Sequence, residues 1–487
     1  MPSTIKDNDD IDDKELEIIN VRVDEIEKKQ GMQKVASENI KRIMNIVEEF
    51  IRSERLICYG GTAINNILPK EEQFYDKLVD IPDYDVFSKD ALIKAKLLAD
   101  TFYKAGVGSI QARVGVHPGT YKVFVDFIPV ADITYLDPKL FNIISKDTII
   151  IDGINYAPPN YLRMEMYKEL SRPESDITRW EKVLTRLNVL NRIYPITNYK
   201  CNLKSFKNDF ERRNTLDDND EDSDSNDNDT KPPHIEIYYK KLYGAIKNNM
   251  IKQGCVFFGC YAMTLYGKYM DESKLSRLLN VPDFDVLSEN PQVCSETLKN
   301  VLLKSGFRNI TIKKKIGYGE IISGYYEVNV DGESVCFIYG TLSCHNYNTL
   351  SIGNQSIKVA SMDTMNNLFL AMYYSKQPKH NQERILCMTQ YLADLQMKNR
   401  LNKKGILKRF SSDCYGTQQT LQEIKLNKEL LFKKFNRERV KKSNPAYQRY
   451  FLKYTPTKRT VKYGDGLVNN NKNKNRNKKR MTRKRFN

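Results

Sequence analysis

Apolar residues return at helical spacing between Ser37 and Glu54, where Ile40, Ile43, Met44, Ile46, Val47, Phe50 and Ile51 fall on one side of a helix that Ser37 is placed to cap. A short apolar run, Leu56-Ile57-Cys58-Tyr59, then reads as a strand entering a pair of glycines. Ile81 to Phe87 alternates as a strand, Ala91 to Tyr103 reads as a helix, and Thr120 to Ile128 gives another strand with Asp126 in its middle. Residues 160–193 return to helical periodicity. This order predicts a small α/β domain with helices packed on a mixed sheet.

The pattern then starts again. A helix over Tyr238 to Met250 leads into a strand, Cys255 to Phe258, and a glycine; later strands fall at Gly324 to Val330 and Ser334 to Tyr339, followed by a helix from Met362 to Tyr374. The predicted fold class is therefore α/β (α+β), with tandem duplicated domains, each a small mixed sheet with packed helices, and a basic C-terminal extension. The boundaries read as an acidic segment at 1–35, a first domain at 36–205, an acidic linker or loop at 206–233, a second domain at 234–400 and a basic region at 401–487. The first dozen residues are expected to be disordered, with a short helix over Glu15 to Val21. Asp217 to Asp229 is too dense in like charge to pack, and the run from Lys472 to Arg485 is expected to be unfolded when free.

Charge narrows the partners. The 487-residue chain carries a formal charge of +17 with a pI near 9.2, which favours a polyanion. No apolar run approaches the ~20 residues a bilayer needs, so nucleic acid is expected rather than membrane. Tyr447, Tyr450, Phe451 and Tyr454, set among lysines and arginines, are candidates to stack on bases. Nine cysteines without a CxxC pair, behind a polar N-terminus, read as reduced thiols of an intracellular protein. Four histidines, none near a Ser or Cys in a nucleophile motif, exclude a histidine-dependent hydrolase.

The candidate chemistry lies in a motif written twice. Tyr59-Gly60-Gly61-Thr62-Ala63 precedes Ile81-Pro82-Asp83-Tyr84-Asp85-Val86, and Phe258-Gly259-Cys260-Tyr261-Ala262 precedes Val281-Pro282-Asp283-Phe284-Asp285-Val286. A strand turns residues i and i+2 to one face, so Asp83 and Asp85 stand together while Tyr84 faces the other way. Such carboxylates suit Mg²⁺, which takes oxygen ligands. A third acid on a neighbouring strand would complete a site for two ions. Asp126, the lone acid of Val123-Phe124-Val125-Asp126-Phe127-Ile128, is the expected third ligand, with Asp132 as the alternative. Gly60, Gly61 and Thr62 join a strand to a helix, where backbone N–H groups meet phosphate. An isolated Asp-x-Asp pair is ordinarily a solvated strand end; the glycine turn and a third acid make this one a candidate site.

The glycine turn, the two-aspartate strand and the third aspartate together resemble the nucleotidyltransferase superfamily that includes DNA polymerase beta and the poly(A) polymerases. With the duplication, the chain as a whole resembles the poxvirus-type poly(A) polymerase catalytic subunits of giant DNA viruses, in which a nucleotidyltransferase domain is followed by a degenerate copy. The resemblance implies a template-independent transfer of AMP from ATP to an RNA 3′ hydroxyl. Asp83, Asp85 and Asp126 would be catalytic ligands of two Mg²⁺ (or Mn²⁺) ions, and Gly60, Gly61 and Thr62 would contact the triphosphate. It also implies a triphosphate cation from the helices after Asp126, for which Lys168 and Lys182 are the candidates. Implied partners are RNA, a homodimer mate, and transcription or capping machinery, with no membrane; the implied location is the host cytoplasm (viral factory) or the virion. Another RNA-end or small-molecule adenylyltransferase, and an inactive RNA-binding scaffold, are the competing readings.

In the second copy Cys260 stands for the second glycine and Tyr261 for Thr62, while Cys336 in Val335-Cys336-Phe337-Ile338 takes the place expected for the third acid. A thiol serves a hard cation poorly. One active centre per chain is expected.

Overall fold

The computed structural model describes residues 5–76, 78–202, 206, 233–269, 283–377 and 381–462. The acidic stretch from Asp217 to Asp229 and the basic run after Lys472 lie outside the described residues. Seven strands come from the first repeat: β1 Ile57–Tyr59, β2 Tyr84–Ser88, β3 Ile110–Val114, β4 Thr120–Val125, β5 Ile128–Tyr135, β6 Ile149–Ile151 and β7 Ile154–Tyr156. Seven come from the second: β8 Val256–Phe257, β9 Phe284–Leu287, β10 Ile310–Lys315, β11 Tyr325–Val330, β12 Glu333–Tyr339, β13 His345–Ile352 and β14 Gln355–Ala360. Two short strands close the set, β15 Cys414–Tyr415 and β16 Lys453–Tyr454.

Duplication is explicit in the sheets. The first runs β16-β3-β4-β5-β2-β1-β7-β6 and the second β10-β11-β12-β9-β8-β14-β13-β15. Without their extra edge strands the two orders correspond strand for strand. Each pairing also keeps its sense: β2 with β5 and β9 with β12 are parallel, as are β1 with β7 and β8 with β14, and the others are antiparallel.

The chain packs as two compact units, Met1–Ala157 with Ile424–Asn487, and Pro158–Glu423. In the first, the helix Ala91–Lys104 buries Ala95, Leu98, Ala99 and Phe102 against β3, β4 and β5. The helix Glu38–Ser53 buries Ile43, Met44, Val47, Phe50 and Ile51, the stripe its spacing predicts. Ser37 occupies its N-cap position without a side-chain capping bond. In the second unit the helix Pro159–Leu170 packs on Met362–Ser375, and Tyr161 and Tyr167 are buried there.

Several expectations change. The N-terminal segment forms one helix, Ile5–Ala36, in place of a disordered start and a short helix; its described side chains are almost all exposed, with pairs such as Arg22–Glu25 spaced along it. Cys201 is bonded to Cys387 and Cys344 to Cys414, with Cα separations of 5.6 and 5.5 Å, so four of the nine cysteines are not free thiols. Neither pair is close in sequence, which is why spacing did not reveal them. The C-terminal aromatics also have another use. Tyr447 and Phe451 pack with Phe435 and Phe432, at ring separations of 5.2–6.1 Å, and the Tyr454 hydroxyl donates to Asp100 at 2.6 Å. They bind the C-terminal segment to the first unit, where β16 becomes the edge strand beside β3.

Candidate active site

The glycine turn and the acidic strand are held against each other. β1 ends at Tyr59, the helix Gly60–Ile67 begins at once, and Tyr59 is the register partner of Asp85 on antiparallel β2. Gly60 has φ +74°, and a Cβ there would lie 2.6 Å from Asp85 Oδ2, so this position requires glycine for its conformation and for its space. Thr62 Oγ1 donates to the Asp83 carbonyl at 2.7 Å, fixing the start of β2 to the first helical turn. Tyr84 points the other way into the core, where its hydroxyl donates to Glu48 at 2.8 Å. Asp83 and Asp85 thus share the face opposite Tyr84, beside a helix N-terminus whose first N–H groups have no intrahelical acceptor.

The third carboxylate on that face is Asp132. β2 and β5 are parallel, and Asp85 pairs in register with Asp132. Asp132 Oδ1 is buried without a hydrogen-bond partner, and Oδ2 receives Lys122 from β4. Burial, partly offset by Lys122 and reinforced by the negative charge of Asp83, raises the Asp132 pKa above the usual carboxylate value. Burial acts against the Lys122 charge as well, but its bond to Asp132 and the pull of Asp132, Asp83 and Asp85 outweigh that and raise its pKa. Beneath them the Cys58 thiol is pushed well up by burial and by Asp85 and Asp83.

Asp126 is elsewhere. Val125 ends β4, and Asp126 and Phe127, with φ of +49° and +68°, make the turn into β5; Phe127 is 84% exposed. Asp126 Oδ1 accepts from the Ser109 N–H at 2.7 Å, closing a loop. Asp132 lies four residues along β5 from Ile128, which at ~3.3 Å per residue puts more than ~13 Å of strand between the turn and the acidic pair.

In donor chemistry the residues suit a divalent cation, although their carboxylate oxygens do not all lie within 4.8 Å of one another here. Three carboxylates supply an all-oxygen donor set of the kind Mg²⁺ takes, and the orphaned Asp132 Oδ1 is a buried acceptor with a ligand place to spare.

Residues 45–176, which contain all of these groups, match the family model described as poly(A) polymerase catalytic subunit. A protein of Acanthamoeba polyphaga mimivirus named "Putative poly(A) polymerase catalytic subunit" is 26% identical over 270 residues, 51% of this chain and 42% of that one. Its namesake from African swine fever virus (strain Badajoz 1971 Vero-adapted) is 31% identical over 163 residues, 32% of this chain and 34% of that one. Over these stretches the chain is similar to the viral poly(A) polymerase catalytic subunits. The matched regions span less than half the length of these curated relatives. In fold, the crystal structure of the Megavirus polyadenylate synthase superposes with a TM-score of 0.70 at 20% identity, covering 96% of this chain and 90% of that one.

The relationship makes the second repeat the more instructive, because the same topology there holds a different set of side chains. Gly259 again abuts the second aspartate, and a Cβ there would collide with Asp285 Oδ2. Asp285, however, pairs in register with Phe337. Phe337, not Cys336, therefore takes the place of the third acid; Cys336 pairs with Phe284 as Ala131 pairs with Tyr84. The remaining acid is engaged by protein. Arg384, from the helix Gln382–Lys398, lies 3.8 Å from Asp283 and contacts the Cys260 sulfur. Sequence reading missed both Arg384 and Lys122, since neither lies in the doubled motif.

Lys168 and Lys182 lie in the second compact unit, Lys168 paired with Glu165 and Lys182 exposed on the helix Trp180–Ile193.

Proposed function

We propose that the chain is a template-independent polynucleotide adenylyltransferase that moves AMP from ATP to the 3′ hydroxyl of RNA. The observation that carries this reading is the register pairing of Asp132 with Asp85 beside the Gly60 turn. It converts two sequence-adjacent acids into a three-carboxylate face next to a helix N-terminus. In the reaction the 3′ oxygen bonds to the α-phosphorus, the bond from that phosphorus to the bridging oxygen breaks, and pyrophosphate leaves.

Divalent cations, Mg²⁺ or Mn²⁺, held by Asp83, Asp85 and Asp132 would lower the pKa of the attacking hydroxyl and neutralise charge on the leaving group. Asp132 Oδ1, buried without a hydrogen-bond partner, is the oxygen we assign to a cation, and the hydroxyl proton passes to water. The N–H groups at Gly60 and Gly61 line the phosphate side, and Thr62 keeps that turn in register with Asp83. The family match over 45–176 and the charge of +17 support RNA and ATP as the substrates. Among the described residues no helix is long and apolar enough to cross a membrane.

Purified protein incubated with radiolabelled ATP, Mg²⁺ and an unstructured RNA primer tests the proposal. A homopolymer ladder is expected. Extension by a few nucleotides would indicate a tRNA-end type of enzyme, and label passing to a small molecule another adenylyltransferase; no transfer at all would leave a scaffold.

A further inference from the structure

Three cations and two carboxylates stand in one row across the first sheet. Register pairs join Lys453 on β16 to Arg113 on β3, Arg113 to Lys122 on β4, Lys122 to Asp132 on β5, and Asp132 to Asp85 on β2. Residues directly opposite one another share a face of the sheet, and four inter-strand steps of ~4.8 Å make the row roughly 19 Å long. The adjacent row, Ala112, Val123, Ala131 and Tyr84, is buried. The charged row therefore lies on the face away from that core, positive at the sheet edge and negative at the acids.

The helix Leu421–Arg437 deepens it into a groove. Lys428 donates to the Gly115 carbonyl at 2.8 Å, and burial lowers the pKa of its ammonium, a cost that a bound anion would relieve. The two adjoining hollows here are lined by six cationic side chains, including Lys425, and by no carboxylate. Aromatic faces are interleaved with the charge: Phe432 is 41% exposed, and the Arg113 guanidinium lies 5.4 Å over the Phe124 ring.

We propose that this row is the track for the phosphate backbone of a single-stranded RNA, with Arg113 and Lys453 gripping phosphates upstream of the 3′ end as it reaches Asp132. That the strand ends there as an acceptor rests on the proposed function; that the groove binds RNA does not. Regular spacing of like charges suits a polyphosphate backbone, and exposed aromatic faces suit unpaired bases.

The test is fluorescence anisotropy of a labelled oligoadenylate with the full chain, wild type against Arg113→Glu/Lys453→Glu, over a salt series. A Kd at least tenfold weaker is expected, with the slope of log affinity against log salt flatter by about 1.4, since each single-strand phosphate contact contributes about 0.7. In the transfer assay KM for RNA should rise while kcat and KM for ATP hold. Kd and slope within twofold of wild type would overturn the track, and equal weakening for duplex RNA would overturn its single-strand character. Melting temperature monitors folding; if the reversal fails to fold, Arg113→Gln/Lys453→Gln, or Lys453→Gln alone at an exposed position, is measured instead. Binding that weakens in a protein without transfer activity sinks the polymerase reading and keeps the track. Transfer with unaltered binding does the opposite.

Discussion

Asp85 and Asp132 are register partners on the parallel strands β2 and β5, so two carboxylates far apart in sequence stand side by side on one sheet face. Asp132 shares the charge of that site; Asp126, tied to the Ser109 N–H in the turn, does not. Asp132→Asn should lower AMP transfer at least about a hundredfold, because it removes one of the three carboxylates proposed to hold the cations. Asp126→Asn should leave the rate within about threefold, because its cost falls on a surface turn. Parallel initial-rate assays with saturating ATP and primer decide between them, and the reverse order would restore Asp126 as the third acid.

Gly60 and Gly106 share a positive φ, +74° and +67°, but differ in surroundings: a Cβ at Gly60 meets Asp85 Oδ2 at 2.6 Å, while one at Gly106 meets nothing within 4 Å. Alanine at either site carries the cost of left-handed backbone, about 1–2 kcal/mol. At Gly60 it must also move the Asp85 carboxylate. Gly106→Ala should therefore lower melting temperature with kcat unchanged, whereas Gly60→Ala should lose both. Equal kcat in the two would show that Asp85 tolerates displacement.

The repeat, the glycine turn, the paired acids and most helices were legible because each rests on local periodicity or on a motif read twice. The third acid was not, for an identifiable reason. Val123 to Ile128 is apolar on both sides of Asp126, so it reads as one strand, and the turn at Asp126-Phe127 has neither glycine nor proline to announce it. Once the hairpin closes there, register sets Lys122 opposite Asp132 and Asp132 beside Asp85. Register is a property of pairing, and no single strand carries it. The same holds for Lys453 and Arg113, and for Phe337 displacing Cys336 as the counterpart of the third acid.

His345 offers a pH test in the second unit. Burial, aided by the nearby positive Arg172, lowers its pKa to about 3 from an ordinary 6.5. The folded state therefore favours the neutral ring. Stability from this group is full above about pH 6.5 and is lost as pH falls toward 3, because the unfolded chain takes up the proton first. Between pH 7.5 and 5 this amounts to about 2 kcal/mol. Urea titrations at the two pH values should show that loss in the wild type and a smaller one in His345→Gln. The same drop in both would assign the acid sensitivity to other groups.

In the second repeat, Arg384 already answers the charge of Asp283, and Phe337 fills the third place with a buried ring. Asp283→Ala should consequently leave AMP transfer nearly intact, since the acid it removes meets an arginine there. Phe337→Asp should not rebuild a centre, because a carboxylate set into that apolar position stands between two acids in its register row, Glu327 on β11 and Asp285 on β9, and costs about 3–5 kcal/mol as an uncompensated buried charge. Tested in an Asp132→Asn background, it should lower melting temperature and restore no transfer. Loss of transfer in Asp283→Ala at unchanged melting temperature would mean that the second repeat takes part in the chemistry, and rescue by Phe337→Asp would mean that Arg384 yields its place to a metal ion.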